Sequence, residues 1–128
     1  KKDAMQTSWE KPEFSTDKTV VPYKVQQANP ESLFNFFRHL IRYRNSSLPL
    51  TLGEIEYSPI NLSEIVSFKR IYEQEQELVV HNVSYVEVTI KMEGELSRFD
   101  KTEYSSKEGY ILKDGELRVP AFSTVILE

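Results

Sequence analysis

"NPESLFNFFRHLIRYRN", residues 29–45, decides how the rest of the chain reads. Asn29 offers a side-chain oxygen to the free amides of a first helical turn. Pro30 suits the first helical position, where a missing N–H costs nothing. Glu31 complements the positive end of the helix dipole, and Arg38, Arg42 and Arg44 lie towards the negative end. Leu33, Phe36, Phe37, Leu40 and Ile41 recur at helical spacing, with the charged Arg44 in the last place of the pattern. Phe34 and Tyr43 widen the apolar surface beyond one stripe. The spacing predicts a helix over 29–45 with partners on more than one side.

Downstream of it the period changes. From Leu48 on, apolar and polar residues alternate, which predicts strands in "GEIEYS" (53–58), "EIVSFKRIY" (64–72), "ELVVHNV" (77–83) and "YVEVTI" (85–90). In the second of these Val66, Phe68 and Tyr72 share a face; in the last, Val86, Val88 and Ile90 do. "GYILKDGELRV" (109–119) reads as a hairpin around Asp114-Gly115, a pair that tolerates the positive φ of a tight turn. Pro120 marks a break before the closing strand "FSTVILE". Residues 91–108 are polar and weakly patterned, so a loop with at most one short strand is expected there. Evenly spaced short strands predict an antiparallel sandwich. The fold class is thus mainly β: an antiparallel β-sandwich of Greek-key type, preceded by an irregular segment and one amphipathic helix.

Upstream, residues 1–28 lack sustained periodicity, although Thr19-Val20-Val21 has the composition to pair briefly as a strand. Trp9, Phe14 and Tyr23 are large rings for an irregular segment; disordered tails are poor in aromatics, so this piece is expected to pack on something.

The chain has 128 residues, 39% apolar and 28% charged, which suits one globular domain with a core of its own. A net charge of −4 and the lack of any lysine or arginine run argue against a nucleic-acid partner. No stretch approaches the apolar length of a membrane span. Lys1–Met5 carries no apolar signal segment. There is no cysteine, which excludes disulfides, thiolate metal sites and a cysteine nucleophile.

Chemistry-bearing motifs are scarce. His39 falls in the helix and His81 in a strand, neither with a second ligand at metal spacing, so both read as packing or surface residues. With four glycines in all, no phosphate-cradling loop is present. Paired carboxylates run glycoside chemistry, but "YEQEQE" and "MEGE" fall between strands and read as solvated turns. Asn45-Ser46-Ser47, Asn61-Leu62-Ser63 and Asn82-Val83-Ser84 fit the glycosylation sequon. Trp9 and some of the tyrosines suit a sugar-stacking platform, although a ring anchoring its loop is the plainer reading of Trp9. No catalytic, cofactor-binding or metal-ligating residue is expected.

Taken together the segments resemble the C-terminal end of an α-amylase family glycoside hydrolase. "KKDAMQTSW" is similar to that family's Arg-x-Pro-Met-Gln-Trp stretch; Met5 and Gln6 match, while Lys2, Ala4 and Thr7 depart. "VPYKVQQANPESLFNFFRHLIRYRN" resembles its Val-x-x-Gln, Asp-Pro-x-Ser-Leu-Leu-Asn-x-Tyr-x-x-Leu-Ile-x-Leu-Arg segment. Pro30, Ser32, Leu33, Asn35, Leu40, Ile41 and Arg44 agree, and Asn29 replaces the aspartate. "LTLGEIE", "IVSFKRIYEQEQELVVHNVS" and "LRVPAFSTVILE" follow in the family's order. The resemblance implies that residues 1–45 are the terminal segment and last helix of a (β/α)8 barrel and residues 46–128 the sandwich domain C that covers it. The family's carboxylates lie on earlier barrel strands, so none is carried over to this chain. The parent would be a retaining enzyme acting on α-glucosidic bonds of starch-like oligosaccharides. Any calcium would belong to the parent, not to this chain.

The expected partner is the parent's catalytic barrel, or a second copy through Phe34, Phe36 and Phe37, with an α-glucan as the parent's ligand and no nucleic acid or membrane. The alternative is a free-standing carbohydrate-binding or protein-interaction sandwich. The address stays open, with a secreted or cell-surface one favoured.

Overall fold

Asn29 does not start the long helix; it ends a shorter one. The computed structural model describes residues 20–128. Val20 and Val21 form no strand and run as exposed chain into helix α1, Tyr23–Ala28, where irregular backbone is expected from the sequence. The Pro22 carbonyl opens α1 by accepting from the Val25 and Gln26 amides. The Asn29 amide closes it on the Val25 and Gln26 carbonyls. Six residues without an apolar stripe leave no periodic signal, which is why α1 is not visible in the sequence.

Helix α2 spans Leu33–Ser46 and so begins later than Asn29 and Pro30 suggest. The Asn29 side chain instead makes a local turn, its Oδ1 accepting from the Glu31 amide at 3.1 Å. Ser32 is the working cap. Its Oγ accepts from the Asn35 amide at 3.2 Å, and its carbonyl accepts from Phe36 at 2.9 Å.

Two compact units divide at Leu40 and Ile41, within α2. In the first, Tyr23 of α1 meets Phe34 of α2 edge-to-face, with ring centroids 4.9 Å apart. The second holds the end of α2 and all the strands. Its first element corrects the strand-like reading from Leu48: Leu48–Leu52 is a short helix, α3. Ser47 caps it, Oγ accepting from the Leu50 amide at 3.0 Å, and Pro49 sits in the first turn.

The strands are β1 (Glu54–Tyr57), β2 (Ile65–Tyr72), β3 (Glu75–Asn82), β4 (Val88–Lys91), β5 (Thr102–Ser105), β6 (Ile111–Lys113), β7 (Glu116–Val119) and β8 (Ser123–Leu127). They build a five-stranded sheet ordered β1-β2-β3-β8-β5 and a three-stranded sheet ordered β4-β7-β6, antiparallel throughout. The β6–β7 turn falls on Asp114 and Gly115, with φ of 54° and 76°. β4 starts at Val88; Tyr85 and Val86, expected within it, belong to the crossover from the large sheet to the small one.

Alternation decides the inner face. Leu78 and Val80 of β3 lie opposite Leu127 and Val125 of β8, all fully buried. They meet Ile90, Leu117 and Val119 of the small sheet, and Ile65 closes the rim. The face of β2 that carries Val66, Phe68 and Tyr72 is the other one. The weakly patterned 91–108 region contributes as well: a 3₁₀ turn at Gly94–Arg98 delivers Leu96 and Phe99 to the core, and β5 follows. Two apolar residues in a polar stretch carry too little period to read as an element.

Candidate docking surface

Ser32 and Asn35, at the start of α2, form a polar corner with the end of α1. Asn35 is buried, and its Nδ2 donates to the carbonyls of Gln26, Gln27 and Asn29 at 3.0, 3.1 and 2.7 Å. The Ser32 hydroxyl donates to the Gln26 carbonyl at 2.6 Å. These bonds gather the carbonyls at the end of α1, two of which, those of Gln26 and Asn29, also accept from the Asn29 and Ser32 amides. One amide thus fixes α1 against the start of α2.

With that corner fixed, α2 turns apolar side chains outward. Leu33, Phe36, Phe37 and Ile41 are 66, 41, 51 and 56% exposed. Their spacing of three, four and eight residues places them on one side of the helix. Phe36 and Phe37 touch each other edge-to-face, with centroids 5.7 Å apart. Phe34, grouped with them from the sequence, is engaged with Tyr23 instead. An exposed row of two phenylalanines and two long aliphatics is a candidate interface.

The C-terminal end of α2 is anchored to the large sheet. Tyr43 stacks on Tyr104 of β5, with centroids 5.1 Å apart and planes 19° from parallel. Arg70 of β2 donates from Nε and a terminal nitrogen to the carbonyls of Pro49 and Leu50, at 3.0 and 3.2 Å. That clamp holds α3 on the outer face of the sheet. Glu77 lies under the same corner, almost fully buried. Burial pushes its carboxyl above the ordinary range, helped by Glu103, Glu128 and Glu75 and opposed by the Ser47 hydroxyl. Burial, then the charge of Glu77, likewise raises the Tyr43 phenol. The sequence gives no sign of this pair, because a lone glutamate in a strand looks solvent-facing.

The remaining candidates play structural parts. His81 is half-buried, its Nδ1 2.7 Å from the Thr124 hydroxyl, and burial lowers its pKa. His39 is exposed. Asn82 is 2% exposed, and its Nδ2 donates to the Val86 and Val119 carbonyls at 2.7 and 3.0 Å. Its Oδ1 accepts from the Ser84 amide and hydroxyl at 2.9 and 2.8 Å. This sequon match is therefore a buried latch for the crossover between sheets, while Asn45 and Asn61 are exposed. Glu73 and Glu75 sit in or beside the β2–β3 turn, exposed, as charge runs between strands usually do. Among the described residues no group of three or more His, Asp or Glu side chains gathers to hold a metal ion, and no helix is long and apolar enough to cross a membrane. Trp9, Phe14 and the Met5-Gln6 match lie outside the described residues.

Residues 65–126 match the family described as the α-amylase SusG C-terminal domain. Over 99 residues the chain is 26% identical to α-amylase 3 of Dictyoglomus thermophilum, covering 77% of this chain and 20% of that one. Amy13B of Eubacterium rectale shares the fold with a TM-score of 0.75 at 21% identity, over 91% of this chain and 24% of that one. Isomaltulose synthase of Erwinia rhapontici aligns with a TM-score of 0.67 at 26% identity, over 80% of this chain and 18% of that one. The chain spans about a fifth of the length of these relatives.

Proposed function

We propose, from the match of residues 65–126 to the α-amylase SusG C-terminal domain family, that this chain is the non-catalytic end of a larger enzyme and stabilises its catalytic barrel. The observation that carries the reading is the outward row of Leu33, Phe36, Phe37 and Ile41 on α2. Each such side chain gains about 1.5–3 kcal/mol on full burial. A helix that forgoes this on one side, while its far end is stacked on a sheet, has the design of a layer between two bodies. The second body is the (β/α)8 barrel, whose carboxylates would act on α-glucosidic bonds of starch-like oligosaccharides. Whether the barrel hydrolyses those bonds or transfers the sugar is decided by groups outside this chain; α-amylase and isomaltulose synthase are both among the relatives.

The test uses this chain and the longer enzyme that contains it. Alone, the chain is expected to leave maltoheptaose uncleaved and to melt at the same temperature with and without it. Deleting the chain from the longer enzyme should lower the temperature at which α-glucan activity is lost. Cleavage by the chain alone, or an enzyme equally heat-resistant without it, would overturn the proposal. A melting shift with maltoheptaose would favour the free-standing carbohydrate-binding module.

A further inference from the structure

Arg70 of β2 and Glu77 of β3 are direct cross-strand partners, so their side chains start about 5 Å apart on one face of the sheet. Opposite charges so placed normally meet. Here the guanidinium reaches away instead, donating to the carbonyls of Pro49 and Leu50 in α3. Glu77 is 7% exposed, and among the described residues its Oε2 has no hydrogen-bond partner. The buried Tyr43 hydroxyl is likewise without one. A buried carboxyl without donors, opposite a guanidinium bonded to neutral acceptors, is a cross-strand ion pair left open.

The groups around Glu77 single out Arg70 as its counter-ion. β3 itself adds Glu75, the chain beyond β8 adds Glu128, and β5 adds Glu103 and Tyr104. Lys101, beside β5, is committed to Glu103 and Glu128. β2 supplies Tyr72, opposite Glu75, besides Arg70. His81, further along β3, has its pKa lowered by burial. α2 contributes Tyr43, its Arg44 being exposed, and α3 contributes the Ser47 cap. While Glu77 is neutral, nothing on this face competes with the α3 carbonyls for Arg70. Once ionised, Glu77 offers a charged acceptor, and hydrogen bonds to an ionised group are roughly twice as strong as neutral ones.

We infer that Arg70 is a two-position clamp, bound to the α3 carbonyls while Glu77 is protonated and drawn to the Glu77 carboxylate when it ionises. Because α3 links α2 to β1, the transfer loosens that connection. Burial fixes the direction, since it raises the Glu77 pKa. The clamp is closed at low pH and opens as pH rises through the folded value. Every residue involved lies within 41–128, one compact unit, so the device holds whether or not the proposed function does.

The test follows the Arg70 Nε–H of this chain by NMR while Glu77 is titrated through its carboxyl carbon resonance. The two signals should move together, with one midpoint. Over the same range, protection of the Thr51 and Gly53 amides, which bond to the Ser47 and Pro49 carbonyls, should fall severalfold relative to amides of the small sheet. In Glu77→Gln the Arg70 signal and the α3 protection should stay at their low-pH values throughout. Arg70→Met should show low α3 protection at every pH. The proposal is overturned if Arg70 keeps its place while Glu77 titrates, or if Glu77→Gln retains the pH response. A Glu77 that stays protonated until the chain unfolds overturns it too. Should Arg70→Met fail to fold, the titrations of the parent chain and of Glu77→Gln still decide.

Discussion

Asn35 and Glu77 show opposite ways of burying a polar group. Asn35 spends its amide hydrogens on the α1 carbonyls, and the corner they form explains why an asparagine stands among the phenylalanines of α2. Glu77 carries its carboxyl in a place that resists charge, and burial raises its pKa. Because its folded pKa lies above the unfolded one, the folded state keeps the proton between the two values. Stability therefore falls as pH rises through that window and is lowest once Glu77 is ionised in both states. Glu77→Gln removes the charge and preserves the shape. It should melt higher than the parent chain above neutrality, with the gap closing below the ordinary carboxylate range. Thermal melts of both proteins across pH check this, and a constant gap at every pH would refute it.

At the scale of elements, two glycines separate close approach from backbone freedom. At Gly53, between α3 and β1, an added Cβ would lie 2.5 Å from the Pro49 carbonyl oxygen and 2.7 Å from that of Ile71. At Gly115 the added carbon meets open space, and only φ of 76° opposes it. Gly115→Ala should cost roughly 1–2 kcal/mol. Gly53→Ala should cost more, because backbone must move, and denaturant titration of the two variants should rank them so.

These elements also show what the sequence makes legible. β1, β2, β3, the β6–β7 hairpin and β8 stand where alternation and the Asp114-Gly115 pair put them, since both signals are local. α1 and α3 are too short to show a helical period, and their caps, Ser47 and the Pro22 carbonyl, are recognisable only after the fact. The start of α2 shifts to Ser32 because two caps compete for one helix. Asn29 is taken by the end of α1 and a local turn. The outward row on α2 was legible as excess apolar width. The anchoring corner of Tyr43, Arg70 and Glu77 was not, because it joins residues far apart in sequence.

For the whole molecule, the sandwich closes its own core, and α2 carries an exposed row of apolar side chains that take no part in it. On the proposed function, that row is what the catalytic body would cover. The most direct test is a pair of melts on Phe36→Ser with Phe37→Ser. In this chain the change should leave the melting temperature unaltered or raise it, because it removes exposed rings. In the longer enzyme it should lower the inactivation temperature by several degrees while KM for α-glucan holds. Destabilisation of the chain alone, with the longer enzyme indifferent, would contradict the account.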